Sequence, residues 1–265
     1  MQTTEVKKKK LLIIEDDEDK PVVPKKKLLI IEDDDKPVVP KKKVLTEDLG
    51  KMFEMGICLL YGIDYDGTYS YSMDEAHKLK DRVNKLKDVF PYNIKHVAKN
   101  GNQYDFESAE DKTINLSAKT TKKDGKVCPQ VIGQPSKKKF CEHFGVDSSY
   151  DLEQIKNFIK DNVTNLLERY CSTTFDCPII YYNKHKNLLL FVKLKEHIDW
   201  TKQEIVFKHI RDNKKWNEST TIYINNISIG EFQVHNHRDC IKFRWVFEKM
   251  LDVFKHNFDV VNLSA

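Results

Sequence analysis

Residues 103–121 read QYDFESAEDKTINLSAKTT. Two short runs, QYDFESA and TINLSAKT, flank the turn-forming AEDK. Their β-branched and aromatic content and their alternation predict two strands joined by a hairpin. Side chains on a strand alternate between faces. Asn115, Ser117 and Lys119 therefore share one face of the second strand, and Ile114 and Leu116 share the other, expected to face the core. A hairpin brings Asp105, fourteen residues before Lys119, to the same region of the sheet. Asp and Lys on neighbouring strands form ordinary cross-strand pairs. They are also the groups needed to bind a divalent cation through oxygen and to stabilise charge on a phosphate.

Working outward, the chain before this hairpin is helical. TEDLGKMFEMGICLLYG places Leu49, Met52, Phe53, Ile57 and Leu60 at helical spacing, and Gly62 ends the pattern. MDEAHKLKDRVNKLKDVF predicts a second amphipathic helix stopping before Pro91. IKHVAK reads as a short strand. After the hairpin comes a loop containing Gly and Pro, then SYDLEQIKNFIKDNVTNLLERYC, expected as one long helix. CPIIYYN with NLLLFVKL, and STTIYINN with ISIGEFQVH, read as hairpins, and DCIKFRWVFEKMLDVFKHN as a closing helix. This order predicts an α/β or α+β domain over 44–265, with a central mixed sheet flanked by helices.

Residues 1–43 differ. KKKKLLIIEDDEDKPVVP at 7–24 recurs as KKKLLIIEDDDKPVVP at 25–40, and a third copy fades from Lys41. The unit is too short to bury a face of its own, so a disordered, low-complexity tail is expected. Its lysine blocks also fit nuclear import or a docking arm.

Global charge does not announce a nucleic-acid binder, because 45 Lys and Arg face 41 Asp and Glu. DNA affinity must come from local clusters. No apolar run approaches the roughly 18 residues of a membrane span, and the Lys-rich start lacks a secretory signal's apolar region. An intracellular, cytoplasmic protein follows, nuclear if the tail directs import. The six cysteines form no CxxC pair and read as reduced thiols. Cys141 and His143 lack a second knuckle for a zinc finger. There is no phosphate loop and no GxSxG elbow.

The densest polar group is IGEFQVHNHRDCIKFRW, residues 229–245. Gln233, Asn236 and Arg238 suit base edges, Lys242 and Arg244 suit phosphates, and His235, on the strand face of Gln233, is a candidate DNA contact or catalytic base. A solvated strand end followed by a basic helix face would have the same composition. Lys122, Lys123, Lys126 and Lys137 to Lys139 flank the central strand, with Gln130 and Gln134 between them.

Asp105, the segment LSAKT with Lys119, the continuation GKVCPQVIGQ and Glu54 in KMFEMGICLLYG resemble type II restriction endonucleases of the PD-(D/E)xK nuclease superfamily. The resemblance covers the body from about Lys41 onward. It implies Mg²⁺-dependent, sequence-specific cleavage of double-stranded DNA, leaving 3′-hydroxyl and 5′-phosphate ends. Asp105 would hold the metal with Glu54 or Glu107, and Lys119 would position water. A homodimer would match a palindromic site. One departure stands out: Ser117 occupies the position where the pattern has Asp or Glu. Ser117 could bind a water of the site, with Glu54, Glu107 or Glu231 supplying the missing carboxylate. Alternatively, the chain has lost activity and is a DNA-binding protein of the same fold. A structural or packaging protein with the tail as its arm is a third reading.

Overall fold

A computed structural model describes residues 46–99, 102–123, 125–209 and 215–264. The expected tail, and with it the import and docking readings, lies outside the described residues. The fold is mixed α/β, as the sequence anticipates, but it carries two sheets rather than one.

The chain opens with α1 (Thr46–Tyr61) and α2 (Met73–Arg82). Leu49, Met52, Phe53 and Ile57 line one stripe of α1 and are buried, each contributing about 1.5–3 kcal/mol relative to exposure. The two helices approach closely at Gly56, where a Cβ would stand 3.0 Å from the Lys80 backbone N and 3.1 Å from the Ala76 O. The second predicted helix is shorter than expected. It ends at Arg82, and only a single turn, α3 (Leu86–Val89), follows.

The first sheet is built from β1 (Ile94–His96), β2 (Phe106–Ser108), β3 (Asn115–Thr121), β5 (Ile179–Asn183), β6 (Leu188–Leu194) and β11 (Phe258–Asn262), in the order β1-β2-β3-β5-β6-β11. β2 and β3 form the predicted antiparallel pair, with Phe106 opposite Leu116 and Glu107 opposite Asn115. The pairing of β3 with β5 is parallel, Lys119 beside Tyr181, so the chain must cross over between them. Three helices make the crossover: α4 (Lys137–Phe144), α5 (Leu152–Asp161) and α6 (Val163–Thr174).

Two features of that crossover correct the sequence reading. α4 stands where a loop is expected. Its ends are nonetheless written in the sequence: the Ser136 side chain accepts from the Lys139 amide, and Gly145 closes the helix at φ 66°. The expected long helix is divided at Asn162, whose side chain donates to the Phe158 carbonyl at 2.9 Å. Asn bonding locally to the backbone competes with helix continuation.

The second sheet is antiparallel, in the order β4-β10-β9-β8-β7. It comprises β4 (Lys126–Val127), β7 (Val206–His209), β8 (Ser219–Ile224), β9 (Ile227–Val234) and β10 (Ile241–Val246). β10 overturns the expected closing helix. Ile241, Phe243 and Trp245 are buried while Lys242, Arg244 and Val246 are partly exposed, which is the period of a strand. The helix that remains, α7 (Phe247–Val253), is only seven residues long. Phe243 and Trp245 thus pack from a strand.

The first sheet is covered on both faces. Leu116, Ile180 and Tyr182 join the α1 cluster, and Ile179, Tyr181 and Val192 join the larger core with α4 to α6 and the second sheet. Asn115 (7% exposed) and Ser117 (2% exposed) are therefore buried as well. The polar face of β3 is not a solvent face, contrary to the one-sided core its parity suggests.

Candidate active site

Main-chain pairing between β2 and β3 runs only from Leu116 to Asn115 on the β3 side. Beyond Leu116, β3 has an open edge, and Asp105 fills it. Its Oδ2 accepts the Ala118 amide at 2.7 Å, a bond that a neighbouring strand would otherwise make. Gln130, in the loop after β4, donates to the same oxygen at 3.5 Å. Lys119 Nζ lies 3.8 Å from it, with both side chains only 13–14% exposed.

The register puts Ser117 and Lys119 on the face of Ile179 and Tyr181, while α1 packs on the opposite face through Gly50 and Thr120. At the open edge Asp105 meets both sides. Burial raises its carboxyl above the ordinary range. The Lys119 charge opposes that rise, and the negative charge of Glu54 adds to it. Glu54 is therefore the carboxylate electrostatically coupled to Asp105.

Glu54 is held from three directions. Lys51 donates at 3.0 Å from one turn earlier on α1, Tyr65 Oη at 3.4 Å, and His96 Nε2 lies 3.2 Å away. His96 Nδ1 accepts the Asp66 amide at 2.9 Å, so the proton sits on Nε2 and points at Glu54. Burial pushes the Glu54 carboxyl up, but the His96 hydrogen bond and the Lys51 charge outweigh it and leave the group below the ordinary value. Glu54 is thus held ionised, beside an Asp105 whose carboxyl is raised. A pair of neighbouring carboxylates with too little positive charge to lower both is the donor set of a hard divalent cation. Asp105 and Glu54 are the residues that could hold such an ion.

The other candidates sit elsewhere. Glu107 projects from β2 to an ion pair with Lys95 at 2.9 Å. Glu231 is buried at the centre of a network with Lys126, Gln233 and Arg244, the last at 3.1 Å. Burial raises its carboxyl, and the Lys126 and Arg244 contacts more than reverse this. Ser117 lies beside the Cys177 thiol, which burial pushes up to about 12. Gln233 and Lys242 are register partners on β9 and β10 and share a face with Arg244. His235, Asn236 and Arg238 form the turn between those strands, and Gln134 is exposed beyond β4. The Cys128 thiol, raised by burial, is lowered in part by Lys242, Arg244 and Lys119 together. The polar face of the second sheet and the Asp105 site meet there.

His96 and Tyr65 were not legible as site residues. Their rings stack at 4.4 Å, but they lie 42 and 11 residues from Glu54 and carry no motif. Lys51 has a weak signal, its spacing of three from Glu54 on a helix.

Among the described residues no helix is long and apolar enough to cross a membrane. No family model matches the chain, and no solved structure matches it. It is 46% identical over 220 residues to the type II restriction enzyme CviAII of Paramecium bursaria Chlorella virus 1, a match that takes in 83% of this chain and 64% of that protein. The chain thus spans a little under two thirds of that relative's length. Over the matched stretch, the chain is related to a type II restriction endonuclease.

Proposed function

We propose that the protein is a Mg²⁺-dependent, site-specific endodeoxyribonuclease of the PD-(D/E)xK type, acting on double-stranded DNA as a homodimer. The observation that carries this reading is the conjunction at the β3 edge: Asp105 against Lys119 at 3.8 Å, with Glu54 coupled to the same carboxylate. Glu54 would supply the acid that Ser117 lacks.

Asp105 and Glu54 would hold the ion. When bound, it supplies Lewis-acid stabilisation of charge on the scissile phosphate. Lys119, anchored by Asp105, would orient the attacking water and balance the charge that develops as water adds to phosphorus in line while the P–O3′ bond breaks, water's protons ending on solvent and on the departing 3′ oxygen. His96 and Tyr65 hold Glu54 in place, and the Asp66 amide fixes the His96 tautomer. Gln130 ties the loop after β4 to Asp105. Gln134, Gln233, His235, Asn236, Arg238, Lys242 and Arg244 would face the DNA, the amides and Arg238 toward base edges and Lys242 and Arg244 toward phosphates.

One observation favours a second reading, a DNA-binding protein without cleavage. Ser117 is buried beside the Cys177 thiol and brings no carboxylate to the Asp105 edge. Incubation with mixed-sequence plasmid separates the two. Discrete fragments that require Mg²⁺, vanish in EDTA and vanish in Lys119→Ala support the nuclease. Intact DNA that is still bound by the protein supports the second reading.

A further inference from the structure

A cluster away from the Asp105 site has a different ligand chemistry. Glu218 precedes β8, and its carbonyl accepts the Val234 amide at 2.8 Å, which fixes it across from the end of β9. His235 and His237 follow β9 in the turn to β10. The Glu218 carboxylate lies between them: His235 Nδ1 is 3.3 Å from Oε2, and His237 Nδ1 is 3.4 Å from Oε1. One ligand atom from each of the three residues lies within 4.8 Å of the others. His235 Nδ1 is buried and makes no hydrogen bond. A buried ring nitrogen facing a carboxylate and a second ring nitrogen without a hydrogen bond calls for another partner.

We infer that Glu218, His235 and His237 form a binding site for a zinc-class transition-metal ion, distinct from the Mg²⁺ site. The spacing agrees with this. Bonds of about 2.0–2.1 Å at tetrahedral angles put neighbouring ligand atoms about 3.4 Å apart, close to the 3.3 and 3.4 Å found. Two imidazoles and one carboxylate select zinc-class ions over Mg²⁺, which prefers oxygen. Three protein ligands leave a fourth position for water or a phosphate oxygen. The bound ion would clamp the turn carrying Asn236 and Arg238 to the start of β8. Any effect on DNA contact rests on the nuclease reading, whereas metal binding itself does not.

The test is titration of the full, metal-stripped chain with Zn²⁺ by calorimetry, beside His237→Gln and Glu218→Gln, with far-UV circular dichroism confirming that both variants fold. One equivalent is expected to bind, roughly tenfold or more weakly in each variant. Co²⁺ in its place should give tetrahedral d–d bands without a thiolate charge-transfer band. Absence of Zn²⁺ binding in the wild-type chain, unchanged affinity in either variant, or a thiolate band would overturn the assignment.

Discussion

Removing the Lys119 charge tests how the β3 edge is held together. Lys119→Met keeps most of the aliphatic stem and deletes the ammonium 3.8 Å from Asp105. At that separation, with an effective dielectric constant of about 20, the gross attraction is about 4 kcal/mol. Desolvation of both groups offsets much of it, so a double-mutant cycle with Asp105→Asn should give a coupling of about 1–3 kcal/mol. The coupling must also depend on pH. Asp105 is already raised by burial and by Glu54, and losing Lys119 raises it further. The folded variant then holds a proton to higher pH than the wild type does, so it gains stability relative to wild type as pH falls. Urea unfolding of the four proteins at about pH 7.5 and about pH 5 measures this, and the coupling should shrink at the lower pH. A coupling below about 0.3 kcal/mol at the higher pH, or one that does not change with pH, would mean that the Lys119–Asp105 pair does not hold this edge.

Other outcomes follow from the same geometry. Glu54 has the opposite sign to Asp105. Its lowered carboxyl contributes stability above its unfolded pKa, which is lost as pH falls through the folded one; the acid limb of stability against pH should be flatter in Glu54→Gln than in wild type. Gly56→Ala forces a Cβ against α2 backbone at 3.0–3.1 Å and should cost about 1–3 kcal/mol by urea unfolding, since the backbone must move. His96→Ala removes a side chain only 1% exposed and one of the bonds to Glu54, so a loss of about 2–4 kcal/mol is expected, with weaker Mg²⁺ binding by calorimetry. Lys242→Ala should weaken DNA binding uniformly across sequences and reduce the slope of log affinity against log salt by about 1, as measured by fluorescence anisotropy.

The fold was legible where one periodicity ruled. The β2–β3 hairpin follows from alternation across AEDK, and α1 follows from the spacing of Leu49, Phe53 and Ile57. It was illegible where two signals overlapped. IKFRWV alternates as a strand, but it runs into FEKMLDVF, and the helical pattern of the second half absorbed the first. The second sheet was lost with it. The burial of Ser117 and Asn115 depends on a crossover through α4 to α6, which no local pattern reveals. Around the candidate site, Asp105, Lys119 and Glu54 could be named because their residue types and spacings resemble a family pattern. His96, Tyr65 and Asp66 could not, because the packing of β1 beside α1 brings His96 to Glu54 while Tyr65 and Asp66 reach the pair from the loop after α1. Parity allows Glu107 to share a face with Asp105, but its side chain pairs with Lys95, its register partner on β1.

The most direct measurement is cleavage of mixed-sequence plasmid DNA by wild type, Glu54→Gln and Glu107→Gln, each with Mg²⁺ and with EDTA. Discrete Mg²⁺-dependent fragments are expected from wild type and Glu107→Gln and none from a folded Glu54→Gln. Fragments from Glu54→Gln, or their loss in Glu107→Gln alone, would mean that Glu54 is not the carboxylate that completes the site.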